Sequence, residues 1–277
     1  MDFTFTEEQE TISKVARQLF EHRATPERLT ELEAGDVRYD AGLWSELAGA
    51  DLLGIALPEN TGGSGHGFLE LSLLLTEVGW SVAPVPVYAT LLLGADTIAR
   101  HGDESQQRRY LPDVVKGVKL LTAGLAEPGR SDVTRPSSIA RRDGNGWRID
   151  GSKQLVPAAQ VAHTMLVTAT TDDGDVGVFI LDTDTDGVDI APATTTNGEP
   201  HADVVFDGAT VSGTDRLPGD GAALVDSLLA RALAGLCAIQ LGVAERALRI
   251  AAAYTTEREQ FGRPIGSFQA VQQRMAD

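Results

Sequence analysis

The sequence predicts a mainly helical protein with a β domain set between two helical regions, and three observations carry that expectation. Apolar residues recur at helical spacing up to about residue 118. Short runs containing β-branched residues, separated by turn signals, fill 119–220. From 221 to 277 a leucine- and alanine-rich stretch returns to helix, with no proline between Ala222 and Thr256.

In the first region Thr6 precedes Glu7, Glu8 and Gln9. That is an N-cap followed by acidic first-turn residues, which satisfy and complement the exposed amides of a helix start. Ile12, Val15, Ala16, Leu19 and Phe20 follow on one face of that helix. Further helices are expected over 41–49, with Leu43, Trp44 and Leu47, and over 69–78, 87–101 and 105–116. Between them the glycines and proline of 57–67 predict an irregular loop.

The middle region has strand-like runs at 147–149, 164–170, 176–181 and 203–206, parted by Asp143-Gly-Asn-Gly146 and Asp172-Asp-Gly-Asp175. No helical pattern lies between these runs, which predicts an antiparallel β domain rather than a parallel doubly wound sheet. After Asp220 the long helix is apolar on more than one face and is expected to be buried in a bundle. The segment 258–264 breaks it, and a new helix is expected to begin near Ser267. So short a last helix cannot cover the long one, so the rest of a bundle is expected to be missing here or supplied by another chain.

Composition narrows the function classes. With 277 residues, 42% hydrophobic and 23% charged, the chain can build one large or two to three small domains. Its 40 acidic against 23 basic residues give a formal charge of −17, which repels nucleic acid and anionic membrane surfaces. The single cysteine, Cys237, cannot form an internal disulfide or a cysteine metal site, which fits a reducing cytoplasmic location. The amino terminus has no basic and apolar leader pattern, and no window is expected to reach the roughly 18 apolar residues of a membrane span. Gly62-Gly-Ser-Gly-His66 fails the nucleophile-elbow pattern, since His66 stands in the final glycine's place. Nearby Gly63-Ser-Gly-His-Gly67 lacks the spacing and preceding strand of a dinucleotide loop. The histidines His22, His66, His101, His163 and His201 are scattered singly and suggest no metal site.

Three local motifs carry a resemblance. Tyr254-Thr-Thr-Glu-Arg-Glu-Gln-Phe-Gly-Arg-Pro-Ile-Gly-Ser-Phe-Gln269 resembles the Arg-x-x-Phe-Gly signature, with its downstream glutamine, of the acyl-CoA dehydrogenase family. Leu125-Ala-Glu-Pro-Gly-Arg-Ser-Asp132 resembles that family's Glu-Pro-Gly-x-x-Ser-Asp loop shortened by one residue, and Leu57-Pro-Glu-Asn-Thr-Gly-Gly63 its Pro-Glu-x-x-Gly-Gly loop. The resemblance implies an N-terminal helical domain (1–118), a middle antiparallel β domain (119–220) and the first part of a C-terminal helical bundle (221–277), incomplete here. It also implies FAD as cofactor, an acyl-CoA substrate, and α,β-dehydrogenation in which a base takes a proton while a hydride goes to the flavin.

The resemblance assigns cofactor-binding roles to Arg258, Gln260, Phe261, Phe268 and Gln269. Arg258 would reach the FAD pyrophosphate of a neighbouring subunit, a contact suited to the forked donors of a guanidinium. The competing reading makes Arg258 a basic residue that compensates a helix C-terminus. Ser131 matches a ligand-contacting serine. Other matched positions have lost their chemistry: Leu155 stands where the family places tryptophan over the isoalloxazine, Pro157 where a hydroxyl bonds near N5, and Ala126 where a hydroxyl precedes Glu127. At one family position of the base stands Ala232, which cannot accept a proton; the other family position lies beyond residue 277. No catalytic residue is therefore identified.

This combination resembles the non-catalytic partner subunit of bacterial α2β2 dehydrogenases acting on steroid side chains. The leading expectation is a subunit that completes an FAD site across an interface with a homologous subunit. A self-sufficient homotetramer and a flavin-free structural or regulatory family member are the alternatives.

Overall fold

The computed structural model describes residues 4–276. Met1, Asp2, Phe3 and Asp277 lie outside them, so at those positions the reading of the two chain ends rests on sequence alone.

Helix α1 (Glu7–Arg23) starts as its sequence predicts. Thr6 Oγ1 accepts the Gln9 N–H at 3.2 Å and Gln9 Oε1 accepts the Thr6 N–H at 3.0 Å, a reciprocal cap. Its inner face buries Ala16 and Phe20 completely. Arg17 forks onto Glu77 of α4 (Phe68–Ser81) at 2.7 and 3.0 Å, tying the two helices together. Helices α2 (Pro26–Glu33) and α3 (Ala41–Gly49) precede the 57–67 loop, whose only helical piece among the described residues is a single 3-10 turn, Glu59–Thr61.

The helix expected over 87–101 is divided. Tyr88–Asp96 is a π-helix and only α5 (Thr97–His101) is α-helical, followed by α6 (Glu104–Val115). Ala89 to Asp96 are all buried, so no polar stripe exists from which the hydrogen-bonding step could be read.

Seven strands form the β domain: β1 (Leu121–Gly124), β2 (Ile139–Asp143), β3 (Gly146–Pro157), β4 (Thr164–Thr171), β5 (Val176–Asp182), β6 (Val188–Ala193) and β7 (His201–Ser212). The order is β1-β4-β2-β3-β7-β6, with β5 on β4. The expectation of an antiparallel domain is corrected, because β1 and β2 both pair with β4 in parallel and the sheet is mixed. The crossover from β1 to β4 is made by the β2–β3 hairpin instead of a helix, so sequence spacing gives no sign of it. Trp147 and Phe179 meet edge to face at 5.3 Å in the core of this domain. Strand β3 changes register twice along β7, between Ile149 and Gly151 and between Lys153 and Val156.

Helix α7 (Gly221–Glu257) runs unbroken from its Asp220 cap. It approaches α4 backbone to backbone: a Cβ on Gly242 would lie 1.9 Å from the Thr76 carbonyl oxygen, and one on Gly79 2.0 Å from that of Ile239. Arg231 forks onto Asp96 with two bonds of 2.6 Å, fixing α7 to the end of the π-helix. As expected from so short a last helix, the other apolar faces of α7 are left uncovered among the described residues. Leu224, Leu228, Ala232 and Gly235 are buried, while Leu233, Leu236, Leu241, Leu248 and Ile250 stay exposed, because only one side of α7 meets other elements. The expectation that no window reaches span-like hydropathy also fails: an 18-residue window of α7 has mean hydropathy 1.8, long and apolar enough to cross a membrane by length and composition alone. A hairpin of β8 (Glu259–Gln260) and β9 (Arg263–Pro264) ends the helix, and α8 (Gln269–Ala276) follows.

The α4–α7 seam yields a test. Gly242→Ala should destabilise the protein by about 1–3 kcal/mol through overpacking against backbone. Gly49→Ala, where nothing lies within 4 Å, should be neutral or stabilising by about 0.5–1 kcal/mol. Chemical denaturation of the two variants checks the contrast.

Candidate functional site

The β-domain half of the predicted site is organised by a buried ion pair that sequence inspection did not single out. Lys153 is fully buried on β3, with Nζ 2.7 Å from Glu127 Oε1 and 2.9 Å from Thr168 Oγ1. Glu127 also accepts the backbone N–H and the hydroxyl of both Ser137 and Ser138. Burial by itself would raise the Glu127 carboxyl, but the bonds from Lys153, Ser137 and Ser138 outweigh it and hold the group down to about 2. This cluster fixes the 125–132 loop against β3, and Ser131 lies exposed on that loop. Little in the sequence marks it, because Lys153 sits in the polar stretch Asp150-Gly-Ser-Lys-Gln154 of β3, where a surface charge would look the same.

Past Lys153 the β3 backbone turns its donors inward. The N–H of Gln154 goes to the Ala126 carbonyl, that of Leu155 to Asp203 Oδ1 at 2.9 Å, and that of Ala158 to the Pro200 carbonyl at 2.6 Å. Pro157 has no N–H, and its carbonyl accepts the Thr122 hydroxyl. Leu155 and Ala158 both have positive φ, at 49° and 55°, and Leu155 is half exposed. Leu155 and Ala126 supply no polar side-chain atom, so this face offers no hydrogen-bonding side chain at the three altered positions.

Beside Pro157 and Ala158 lies a slot of about 40 Å3 bordered by Tyr88, Val78 and Ile239. The Tyr88 hydroxyl donates to the Ala232 carbonyl oxygen at 3.3 Å, and burial pushes this phenol up to about 12. Ala232 is 6% exposed, and Gly235, one turn on, has no room for a side chain against Leu92. The matched base position is therefore both apolar and enclosed.

The hairpin after α7 is built differently. Phe261 and Gly262 have φ of 55° and 79°, the pair of left-handed residues that a tight two-residue hairpin turn requires. Phenylalanine is a poor choice for that conformation, and this one is 93% exposed. Its ring meets Phe268 edge to face at 6.1 Å, and the Arg263 guanidinium lies 4.1 Å from the Phe268 centroid. Arg258 caps α7 through its backbone N–H to the Tyr254 carbonyl, while its side chain makes no hydrogen bond or ion pair among the described residues. Arg258, Gln260, Phe261 and Phe268 thus share one projecting hairpin and the turn after it, with Gln269 opening α8. The structure does not bring them to Ala232. From residue 232 to 258 is 26 positions on one helix, about 39 Å at 1.5 Å per residue.

The buried pair sets a pH dependence. A carboxyl lowered from its ordinary 4.5 to about 2 contributes stability that is complete above 4.5 and is lost as pH falls through 2. Acid titration of stability should therefore show a loss on the order of 3 kcal/mol across that window. Lys153→Met should cost about 3–5 kcal/mol at neutral pH and narrow the acid window toward 4.5, since removing the ammonium raises the carboxyl.

Comparisons with known proteins bear on the whole chain. Its residues match three family models: the acyl-CoA dehydrogenase N-terminal domain over 6–118, the middle domain over 122–209 and the C-terminal domain over 219–277. It is 36% identical to acyl-CoA dehydrogenase FadE27 of Mycobacterium tuberculosis, over all of this chain and 72% of that one. Among solved structures, a Tcur3481–Tcur3483 steroid ACAD variant matches with TM-score 0.90 and 44% identity, covering 98% of this chain and 72% of the other. The ChsE4–ChsE5 complex of M. tuberculosis matches with TM-score 0.93 and 35% identity, covering 100% and 74%. A Bacillus anthracis acyl-CoA dehydrogenase complexed with FAD matches with TM-score 0.92 and 26% identity, covering 98% and 48%. Motifs, fold and relatives agree, and the chain belongs to the FAD-dependent acyl-CoA dehydrogenase family.

Proposed function

We propose that this chain is the non-catalytic subunit of a hetero-oligomeric acyl-CoA dehydrogenase, lending its 258–269 segment to an FAD held by a homologous partner. The observation that carries the reading is the separation along α7. Arg258 stands about 39 Å along α7 from Ala232, too far to clamp a flavin placed beside that residue. A guanidinium without a partner among the described residues and a phenylalanine held in an unfavourable turn conformation both suit a ligand from outside.

The chain's own face fits the isoalloxazine poorly. Leu155, Pro157 and Ala126 supply no donor there, the nearby N–H groups are already engaged, and Ala232 supplies no base. When bound, the flavin accepts a hydride from the acyl chain. Arg258 would hold its pyrophosphate by a charge-assisted fork, Phe261 would cover part of it, and Gln260, Phe268 and Gln269 would line its adenosine half. Two of the similar solved structures are described as steroid ACAD or two-component complexes. This supports a steroid-type acyl-CoA substrate and an assembly of two unlike subunits. Exposed Leu233, Leu236, Leu241, Leu248 and Ile250 supply apolar surface for subunit contact.

FAD titration into deflavinated complexes tests the assignment. Arg258→Ala should weaken FAD retention about 10- to 100-fold, and Arg258→Lys should recover only part, because an ammonium keeps the charge without the fork. Phe261→Asn should relax the turn yet also weaken retention. If Arg258 only compensates the helix terminus, the alanine variant loses a few tenths to about 1 kcal/mol of stability with FAD affinity unchanged, and lysine rescues it fully.

A further inference from the structure

The terminal hairpin carries a second guanidinium, that of Arg263, to which no role has yet been given. In the hairpin Gln260 lies opposite Arg263 and Glu259 opposite Pro264. The Ile265 N–H donates to the Arg258 carbonyl at 2.8 Å, which extends the same register by one more pair. Side chains alternate between the two faces of a strand pair, so Arg258, Gln260 and Arg263 share one face while Glu259 belongs to the other. Arg258 and Arg263 are diagonal neighbours on that face, about 7–8 Å apart, within reach of one ligand for side chains of this length.

Arg263 is exposed and makes no hydrogen bond or ion pair among the described residues. Its contact is with Phe268, whose ring centroid lies 4.1 Å from the guanidinium carbon. Phe261 in turn meets that ring edge to face at 6.1 Å. A guanidinium over an aromatic face keeps the N–H donors of its own plane free for an acceptor, and the ring limits the positions it samples. An exposed contact of this kind adds little stability by itself, so the arrangement fits a poised donor better than a structural tie.

The charge of the ligand fits two such groups. A dinucleotide pyrophosphate carries a negative charge on each phosphate, and one guanidinium fork faces one of them. Phe268 and Gln269 are assigned to the adenosine half, and Arg263 lies over Phe268, so Arg263 stands on the adenosine side of Arg258.

We propose that Arg263 binds the adenosine-side phosphate of the partner-held FAD while Arg258 takes the flavin-side one. The inference rests on the assignment of the 258–269 segment to FAD and adds to it a second phosphate ligand, with Phe268 as its platform.

The test is titration of FAD into the deflavinated complex at low and high salt, with AMP as a second probe. Arg263→Gln keeps a planar amide near Phe268 without the charge and should weaken FAD about tenfold or more. That deficit should be smaller at about 0.5 M salt than at about 0.05 M, because an exposed charge contact is screened. Arg263→Lys should recover part of the affinity. AMP carries only the adenosine-side phosphate, so its affinity should fall in Arg263→Gln and stay at the wild-type value in Arg258→Ala. If Arg263 only packs on Phe268, Arg263→Gln lowers the melting temperature of the FAD-free complex, its FAD deficit is the same at both salts, and the proposal is overturned. Wild-type FAD affinity in Arg263→Gln alongside weakened affinity in Arg258→Ala would overturn this inference alone. Unchanged affinity in Arg258→Ala would instead remove the assignment on which it rests.

Discussion

The placement of α7 governs the rest of the molecule. Two glycines, Gly79 and Gly242, let α4 and α7 meet at backbone distance, and the Arg231–Asp96 fork locks α7 to the π-helix. With the helix held there, the Ala232 carbonyl meets the Tyr88 hydroxyl, and the slot beside Tyr88 has a volume of about 40 Å3. The same rigid rod carries the 258–269 segment far from that slot. Enclosure at one end and projection at the other are thus two consequences of one packing arrangement.

The β domain separates the residues that hold its scaffold from those that line the face beside it. Glu127, Lys153, Ser137 and Ser138 still hold the 125–132 loop to β3 through a fully satisfied buried network. The residues just beyond it, Leu155 and Pro157, carry no polar side-chain group, and the backbone there bonds to Asp203 and Pro200. Stability of the scaffold and chemistry of the face are carried by different side chains, so one can change while the other stays.

Much of this was legible in the sequence where local rules act alone. Thr6 and Gln9 announced their cap, and the 258–264 segment announced the end of the long helix though not the hairpin that follows, because capping and helix-breaking signals are local. The parallel pairing of β1 and β2 with β4 was not legible, since strand direction depends on a crossover that a hairpin makes here. The π-helix of 88–96 was hidden by uniform burial, whereas the uncovered faces of α7 followed from the shortness of the helix after it. Lys153 escaped because a buried charge looks like any surface charge until its partners are seen.

The account stands or falls on where the flavin is counted. In the assembled complex, the ratio of FAD to protein, from flavin absorbance after denaturation and quantitative amino-acid analysis, should be one FAD for each pair of unlike subunits. One FAD for every subunit, or retention of FAD by this chain purified alone, would contradict it.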